Sequence, residues 1–184
     1  MDLYARFKGK PNSVFHMLYG FALFGEGGIT GLFVQHRRAY PVRRVLGFAP
    51  TARFSGVVIY AKGSYPVFAA QREGALRPAL FPRLFDERME VVIERARCDP
   101  DALRSRGLAA YTDSLDTGRF ADRIGSFPLQ ILARGIYGAA GTDIIIPNRD
   151  AERLLGLPEN RELLRQGRIL IVVDSSPYAS PGSF

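Results

Sequence analysis

Five consecutive aliphatic residues, Ile169-Leu170-Ile171-Val172-Val173, constrain this chain more than any other feature. Successive side chains of a strand point to opposite faces, so a strand apolar at every position is covered on both. The fold must therefore place this strand centrally and supply a layer on each side of it. Upstream, Thr142 to Ile146 reads as another strand. Between the two lie two short helical patterns. Asn148 is a good N-cap with Asp150 in the first turn, Ala151, Leu154 and Leu155 form one apolar face, and Gly156 ends the first helix. Pro158 opens the second, Leu163 and Leu164 point inward, and Gly167 ends it. This strand–helix–helix–strand unit is long enough for a right-handed parallel crossover.

The rest of the chain is richer in strand patterns. Ser55 to Lys62 is the clearest, and Met89 to Arg95 sets Met89, Val91 and Ile93 against Glu90 and Glu94 in a half-buried strand pattern. Leu3 to Lys8, Ile29 to Gln35 and Ala39 to Leu46 also read as strands, the last placed at an edge or made irregular by Pro41. Leu129 to Tyr137 and Thr142 to Ile146 read as a hairpin around Gly138 to Gly141. Asp99-Pro100 opens a helix that Gly107 closes, and 71–83 is a loop. Residues 14–24 fit a helix by spacing and a buried strand by composition. The expected fold is mixed, α/β or α+β. Its first two thirds are strand-rich and mostly antiparallel, and the strand–helix–helix–strand unit completes it. Residues 1–174 form a single globular domain, and 175–184 a flexible Ser/Pro-rich tail.

Several chemistries are excluded in their common forms. No Lys follows Lys62, so no Walker A loop ends in Gly-Lys-Ser/Thr. The glycines at 25, 27 and 31 and at 135, 138 and 141 lack the strand-then-helix context of a dinucleotide fingerprint. Neither His16 nor His36 belongs to a zinc-protease motif, and no nucleophile elbow is present. Gly20-Phe21-Ala22 lacks the leading basic residue and closing aromatic of an RNA-recognition strand. No catalytic residue, cofactor or metal ligand is assigned. The lone Cys98 forms no internal disulfide and reads as a small buried side chain, which fits a reducing cytoplasm. The apolar run Val14 to Phe24 is too short to span a bilayer. It is followed by Gly25-Glu26-Gly27-Gly28, not by a small-residue cleavage site, and so reads as core rather than as an export signal.

Charge supplies the strongest functional hint. The net charge is +7, and the basic residues are nearly all Arg. Residues 1–62 hold nine basic and two acidic side chains, so the whole excess falls there, and twelve of the 21 aromatics fall within residues 1–65. Such asymmetry suggests a polyanionic partner. Arg forks suit phosphates, and exposed aromatic rings stack on bases. The expectation is a non-enzymatic, cytoplasmic module that binds RNA or DNA through Arg6, Lys8, Lys10, His36, Arg37, Arg38, Tyr40, Arg43, Arg44 and Arg53. Two alternatives stand beside it. One is an assembly protein that engages a partner or a second copy through its Phe-rich first third. The other is a small nucleotide-binding α/β enzyme with Asp150 and Asp174 on one rim, at the strand ends 147–150 and 174–176. The nucleic-acid reading requires the basic residues to converge on one face. It weakens where later carboxylates neutralise them.

Overall fold

A computed structural model describes residues 20, 22–47, 50–68, 70 and 72–175. The helices are α1 (Ile29–Phe33), α2 (Pro100–Arg106), α3 (Ala121–Ile124), α4 (Asn148–Gly156) and α5 (Pro158–Arg165). The strands are β1 (Val57–Tyr60), β2 (Tyr65–Phe68), β3 (Arg72–Gly74), β4 (Leu84–Asp86), β5 (Val91–Ile93), β6 (Ala110–Thr112), β7 (Leu129–Leu132), β8 (Gly135–Tyr137), β9 (Asp143–Ile146) and β10 (Ile169–Val172). They form a four-stranded sheet, β6-β10-β1-β7, and a six-stranded sheet, β3-β2-β8-β9-β4-β5. The fold is mixed α/β.

The apolar run does what its composition demands. All of β10 is buried, and it lies between β1 and β6, parallel to both. Alternate residues face different layers. Ile169 and Ile171 join Val57, Ile59, Leu129 and Ile131 in the main core. That core also takes Leu84, Ile136, Ile144 and Ile146 from the second sheet and Leu103, Leu154, Leu155, Leu163 and Leu164 from the helices. On the other face Leu170 and Val172 pack with Val58 under Ile124 of α3, with Phe120 beside them. Burying each such side chain contributes about 1.5–3 kcal/mol. Among the described residues no helix is long and apolar enough to cross a membrane.

Two neighbouring strands carry the chain from one sheet to the other. β1 pairs with β7 from Val57↔Leu129 to Tyr60↔Leu132, and β2 pairs with β8 at Val67↔Ile136 and Phe68↔Tyr137. The bends fall at 61–64, where Gly63 has φ 92°, and at Ala133-Arg134. Leu129 to Tyr137 is therefore two strands in two sheets, and only its second part makes the hairpin with β9.

The structure corrects the expected topology. β9 and β10 are not crossover partners: β9 lies between β8 and β4, and β10 between β1 and β6. With both edges of each strand filled, α4 and α5 join the two sheets instead of spanning one. The first sheet is wholly parallel, and only three of the eight pairings are antiparallel: β2–β3, β4–β5 and β8–β9.

Local corrections have local causes. Residues 29–33 are helical rather than extended. The amides of Ile29 and Thr30 donate to the carbonyls of Ala22 and Leu23, and the Thr30 hydroxyl donates to Leu23 O at 2.8 Å. These bonds fold the segment back on its glycine turn. Residues 39–45 join no ladder. The strand expected over 89–95 shrinks to 91–93 because the buried Asp86 carboxylate accepts from the amides of Arg88 (3.0 Å) and Glu90 (2.8 Å), forming a turn with Met89 at φ 61°. β3 lies inside the expected 71–83 loop, paired with β2. Asn148 is the first residue of α4, not its cap, and its amide donates to Glu87 Oε2 at 2.9 Å. Helix α2 forms as expected, with Asp99 accepting from the amides of Asp101 and Ala102 and Gly107 at φ 72°. Leu3 to Lys8, most of 14–24 and 176–184 lie outside the described residues.

Glycine fit makes a direct test. A Cβ on Gly56 would lie 2.5 Å from Ile124 O, against backbone that cannot swing away, whereas one on Gly31 would meet nothing within 4 Å. Gly56→Ala is expected to destabilise the protein by about 1–3 kcal/mol, the usual range for overpacking. Gly31→Ala is expected to be neutral or mildly stabilising, since Ala suits a helix better. Urea unfolding compares the two.

Burial pushes the Cys98 thiol up from its ordinary 9.0 to about 12, with Glu94 adding to the effect. Burial likewise pushes the Tyr111 hydroxyl up from 10.0 to about 12. Both folded values exceed the unfolded ones, so the fold favours the protonated forms. Their contribution is complete below pH about 9 and is lost as pH rises through about 12. The melting temperature is expected to fall across that window. Cys98→Ala should flatten its lower part.

Candidate anion-binding cleft

Seven of the ten candidate contact residues lie among the described residues; Arg6, Lys8 and Lys10 do not. The seven divide into two groups. Arg43 is committed to the fold: its guanidinium sits 2.6 Å from Asp86 Oδ2 and also pairs with Glu90. Asp86 is 3% exposed, so its charge needs this partner. Arg53 pairs with Glu159 at 2.8 Å at the surface. The His36 ring hydrogen-bonds through Nε2 to Cys98 O at 3.0 Å, which anchors it against the start of α2. The other four, Arg37, Arg38, Tyr40 and Arg44, are exposed, with Tyr40 at 64%. Later carboxylates thus neutralise part of the basic cluster and leave a narrower set.

Arg44 opens onto a cleft of about 350 Å³. One wall is Ala39, Pro41, Val42 and Arg44, and the other is Pro158, Arg161, Glu162 and Arg165 of α5. The second wall follows from helical geometry. Positions 158, 161, 162 and 165 recur at the i, i+3, i+4, i+7 spacing of one helix face, while Asn160, Leu163 and Leu164 are buried on another. The first wall lacks regular structure, so single contacts fix it. Tyr40 N donates to Ala96 O at 2.8 Å, Val42 is buried, and Arg43 is held by Asp86.

The cleft holds three arginines and one carboxylate. Glu162 Oε2 is 3.5 Å from Arg165 Nη1, and Arg161 Nη1 donates to Leu155 O. Arg165 Nε is buried and has no hydrogen-bond partner among the described residues. Desolvation lowers the affinity of Arg161 for its proton, and Arg44 lowers it further. Arg44 and Arg161 are thus like charges on facing walls of one cleft. A bound anion would relieve that repulsion.

Arg161 and Arg165 were not among the sequence candidates. Their helix has Glu159, Arg161, Glu162 and Arg165, which sum to zero, and segment counting passes over it. The available signal was the i, i+4 spacing of the two arginines.

A second cleft, of about 420 Å³, is almost wholly apolar. It is lined by Leu23 and Phe24, by Pro78 to Leu80 and by Ala109 to Tyr111. The Tyr111 hydroxyl closes its floor by bonding both the amide and the carbonyl of Ala79 at 3.1 Å.

The rim proposed for Asp150 and Asp174 divides between structures. Asp150 follows β9 of the six-stranded sheet, is buried, and pairs with Arg153 at 3.2 Å. Asp174 follows β10 of the four-stranded sheet and accepts from Gly63 N at 2.7 Å. Neither lines either cleft. Among the described residues no three His, Cys, Asp or Glu side chains gather as metal ligands.

Residues 56–175 match the family model described as Treponema pallidum Tp0624, second domain. The chain belongs to this family. The match runs from the residue before β1 to three residues past β10, so it takes in both sheets and α2 to α5. No curated protein matches the chain. Within the cleft, the α5 wall lies inside the family span, and the wall carrying Arg44 precedes it.

Arg43 and Arg53 separate structural from surface charge. Arg43→Ala leaves Asp86 buried and unpaired. It is expected to cost about 2–3 kcal/mol, below the full buried-pair penalty because Arg43 is partly exposed. Arg53→Ala removes a surface pair and is expected to change stability by less than about 1 kcal/mol. Chemical denaturation of both variants checks the contrast.

Proposed function

We propose that this chain is a non-enzymatic module that binds nucleic acid, RNA or DNA, through the face carrying Arg37, Arg38, Tyr40 and Arg44. One observation carries the reading: Arg44 meets Arg161 and Arg165 in a single cleft that also adjoins the exposed Tyr40 segment. Cations gathered from distant parts of the sequence, and only partly matched by carboxylates, form an electrostatic footprint for phosphates. Tyr40 adds an exposed ring that can stack on a base. His36, Arg43 and Arg53 play a smaller part in this reading, because the fold already engages them.

The test is a titration with fluorescent RNA and DNA oligonucleotides at 50 and 200 mM salt. Three or four phosphate contacts on a single strand predict an affinity loss on the order of 20–50-fold across that range. The double reversal Arg37→Glu/Arg38→Glu is expected to abolish most of the salt-sensitive binding. Absence of salt-sensitive binding to either polymer rejects the reading.

The apolar cleft favours a second reading, an assembly protein. Leu23 and Phe24 line it, and nearby α1 exposes Leu32 at 72% and Phe33 at 51%. Exposed apolar groups gathered in one region are typical of a protein-binding surface. Light scattering decides whether a second copy is the partner: a strict monomer at high concentration removes self-assembly.

A further inference from the structure

The geometry points to the cleft between Arg44 and α5 as a site for a phosphate monoester, the terminal phosphate of an oligonucleotide or of a mononucleotide. Charge comes first. The lining carries Arg44, Arg161, Arg165 and Glu162, a formal +2. A phosphate monoester carries close to −2 at neutral pH, whereas an internal phosphodiester carries −1. The monoester matches the cleft, and the diester leaves it half neutralised.

Donors come second. Arg44 has no carboxylate partner among the described residues, and Arg165, paired through Nη1 with Glu162, keeps a buried Nε that has no acceptor. Guanidinium forks bind tetrahedral oxyanions through paired, charge-assisted hydrogen bonds. Leu155 O takes Arg161 Nη1 and Glu162 faces Arg165 Nη1, so Arg44 offers a full fork and the other two their remaining N–H groups, enough for three terminal oxygens.

Shape comes third. At about 350 Å³ the cleft lies at the small end of ligand pockets, with room for a phosphate and little more than a sugar. Ala39, Pro41, Val42 and Pro158 supply short walls with no side-chain donors or acceptors of their own. Polar recognition is thus concentrated on the anion, not on a base. A polymer lying across the Arg37, Arg38 and Tyr40 surface would seat its phosphorylated end here. This inference rests on the nucleic-acid reading for its oligonucleotide source, and stands apart from it for the free mononucleotide.

The experiment compares four probes against the full chain in chloride buffer: a 5′-phosphorylated ten-nucleotide DNA, the same DNA with a 5′-hydroxyl, a nucleoside 5′-monophosphate and inorganic phosphate. The phosphorylated DNA is expected to bind roughly tenfold more tightly than the hydroxyl form, as one extra set of charge-assisted bonds implies. That ratio should shrink as pH falls below about 6, where the monoester dianion takes up a proton and its charge drops to −1. Arg44→Gln, on an irregular exposed segment, should weaken both DNAs and bring their ratio close to one. Arg161→Lys keeps the charge but loses the fork, and should also reduce the ratio.

Equal binding of the two DNAs, with no binding of the monophosphate, overturns the monoester site and leaves the nucleic-acid reading standing. Binding of the monophosphate or phosphate alone, lost in Arg44→Gln, supports the site and rejects the nucleic-acid reading. A preference for phosphorylated DNA that persists in both variants places the phosphate elsewhere and overturns the inference. No binding of any probe rejects both.

Discussion

The parallel pairing of β10 with β1 is the constraint on which the rest depends. Both strands are almost wholly buried, and each presents side chains to two different layers. A parallel pair has no short connection, so the intervening chain must travel far before it returns. Here that route builds the entire second sheet. β1 passes into β2, the chain returns through β7 beside β1, and β8 follows beside β2. Only then do α4 and α5 bring it back to β10. The helices bury Leu154, Leu155, Leu163 and Leu164 in the core between. Weakening β10 would therefore loosen both sheets, and with them the face of α5 that forms the cleft.

Asp86 is the second organising element, and it works through charge rather than packing. One carboxylate shapes the turn to β5 through two amides, and also receives Arg43. Its burial makes those partners obligatory. Arg43 belongs to the irregular 39–45 segment, so this pair is one of few anchors for one wall of the cleft. The neighbouring residues 43 and 44 thus have opposite duties. Arg43 is consumed in holding the wall, and Arg44 is presented by it.

What was legible in the sequence follows from how local its causes are. The Asp99-Pro100 to Gly107 helix and α5 are specified by residues within a turn of each end. β1, β10 and the β8–β9 hairpin were visible because their apolar runs are uninterrupted or joined by a glycine loop. Sheet membership was not visible, because nothing in Thr142 to Ile146 records that β4 and β8 occupy its edges. The short strands β2, β4 and β6 escaped for a related reason. Three or four residues carry no period, and ladder partners far along the chain hold them extended. The Ile29 segment misled because β-branched and aromatic residues favour strands, whereas hydrogen bonds to Ala22 and Leu23 decide its shape. Of the site, Arg37, Arg38, Tyr40 and Arg44 could be named from the sequence, but Arg161 and Arg165 could not be joined to them without the fold.

The net charge falls in the first third of the sequence, yet charge by segment and charge in space are different quantities. The remainder of the chain is neutral in sum but not in arrangement. Its carboxylates Asp86, Glu90 and Glu159 cancel Arg43 and Arg53, and so remove basic character from the segment that appeared richest in it. The same neutral remainder contributes Arg161 and Arg165, whose helix faces them toward Arg44. Folding therefore moves positive potential from a sequence interval to a concavity, reducing its extent and raising its density. A diffuse basic surface holds any polyanion weakly and without regard to its ends. Three guanidinium groups around one small cleft favour compact, doubly charged groups, because the interaction rises with ligand charge while the geometry admits only one such group at a time.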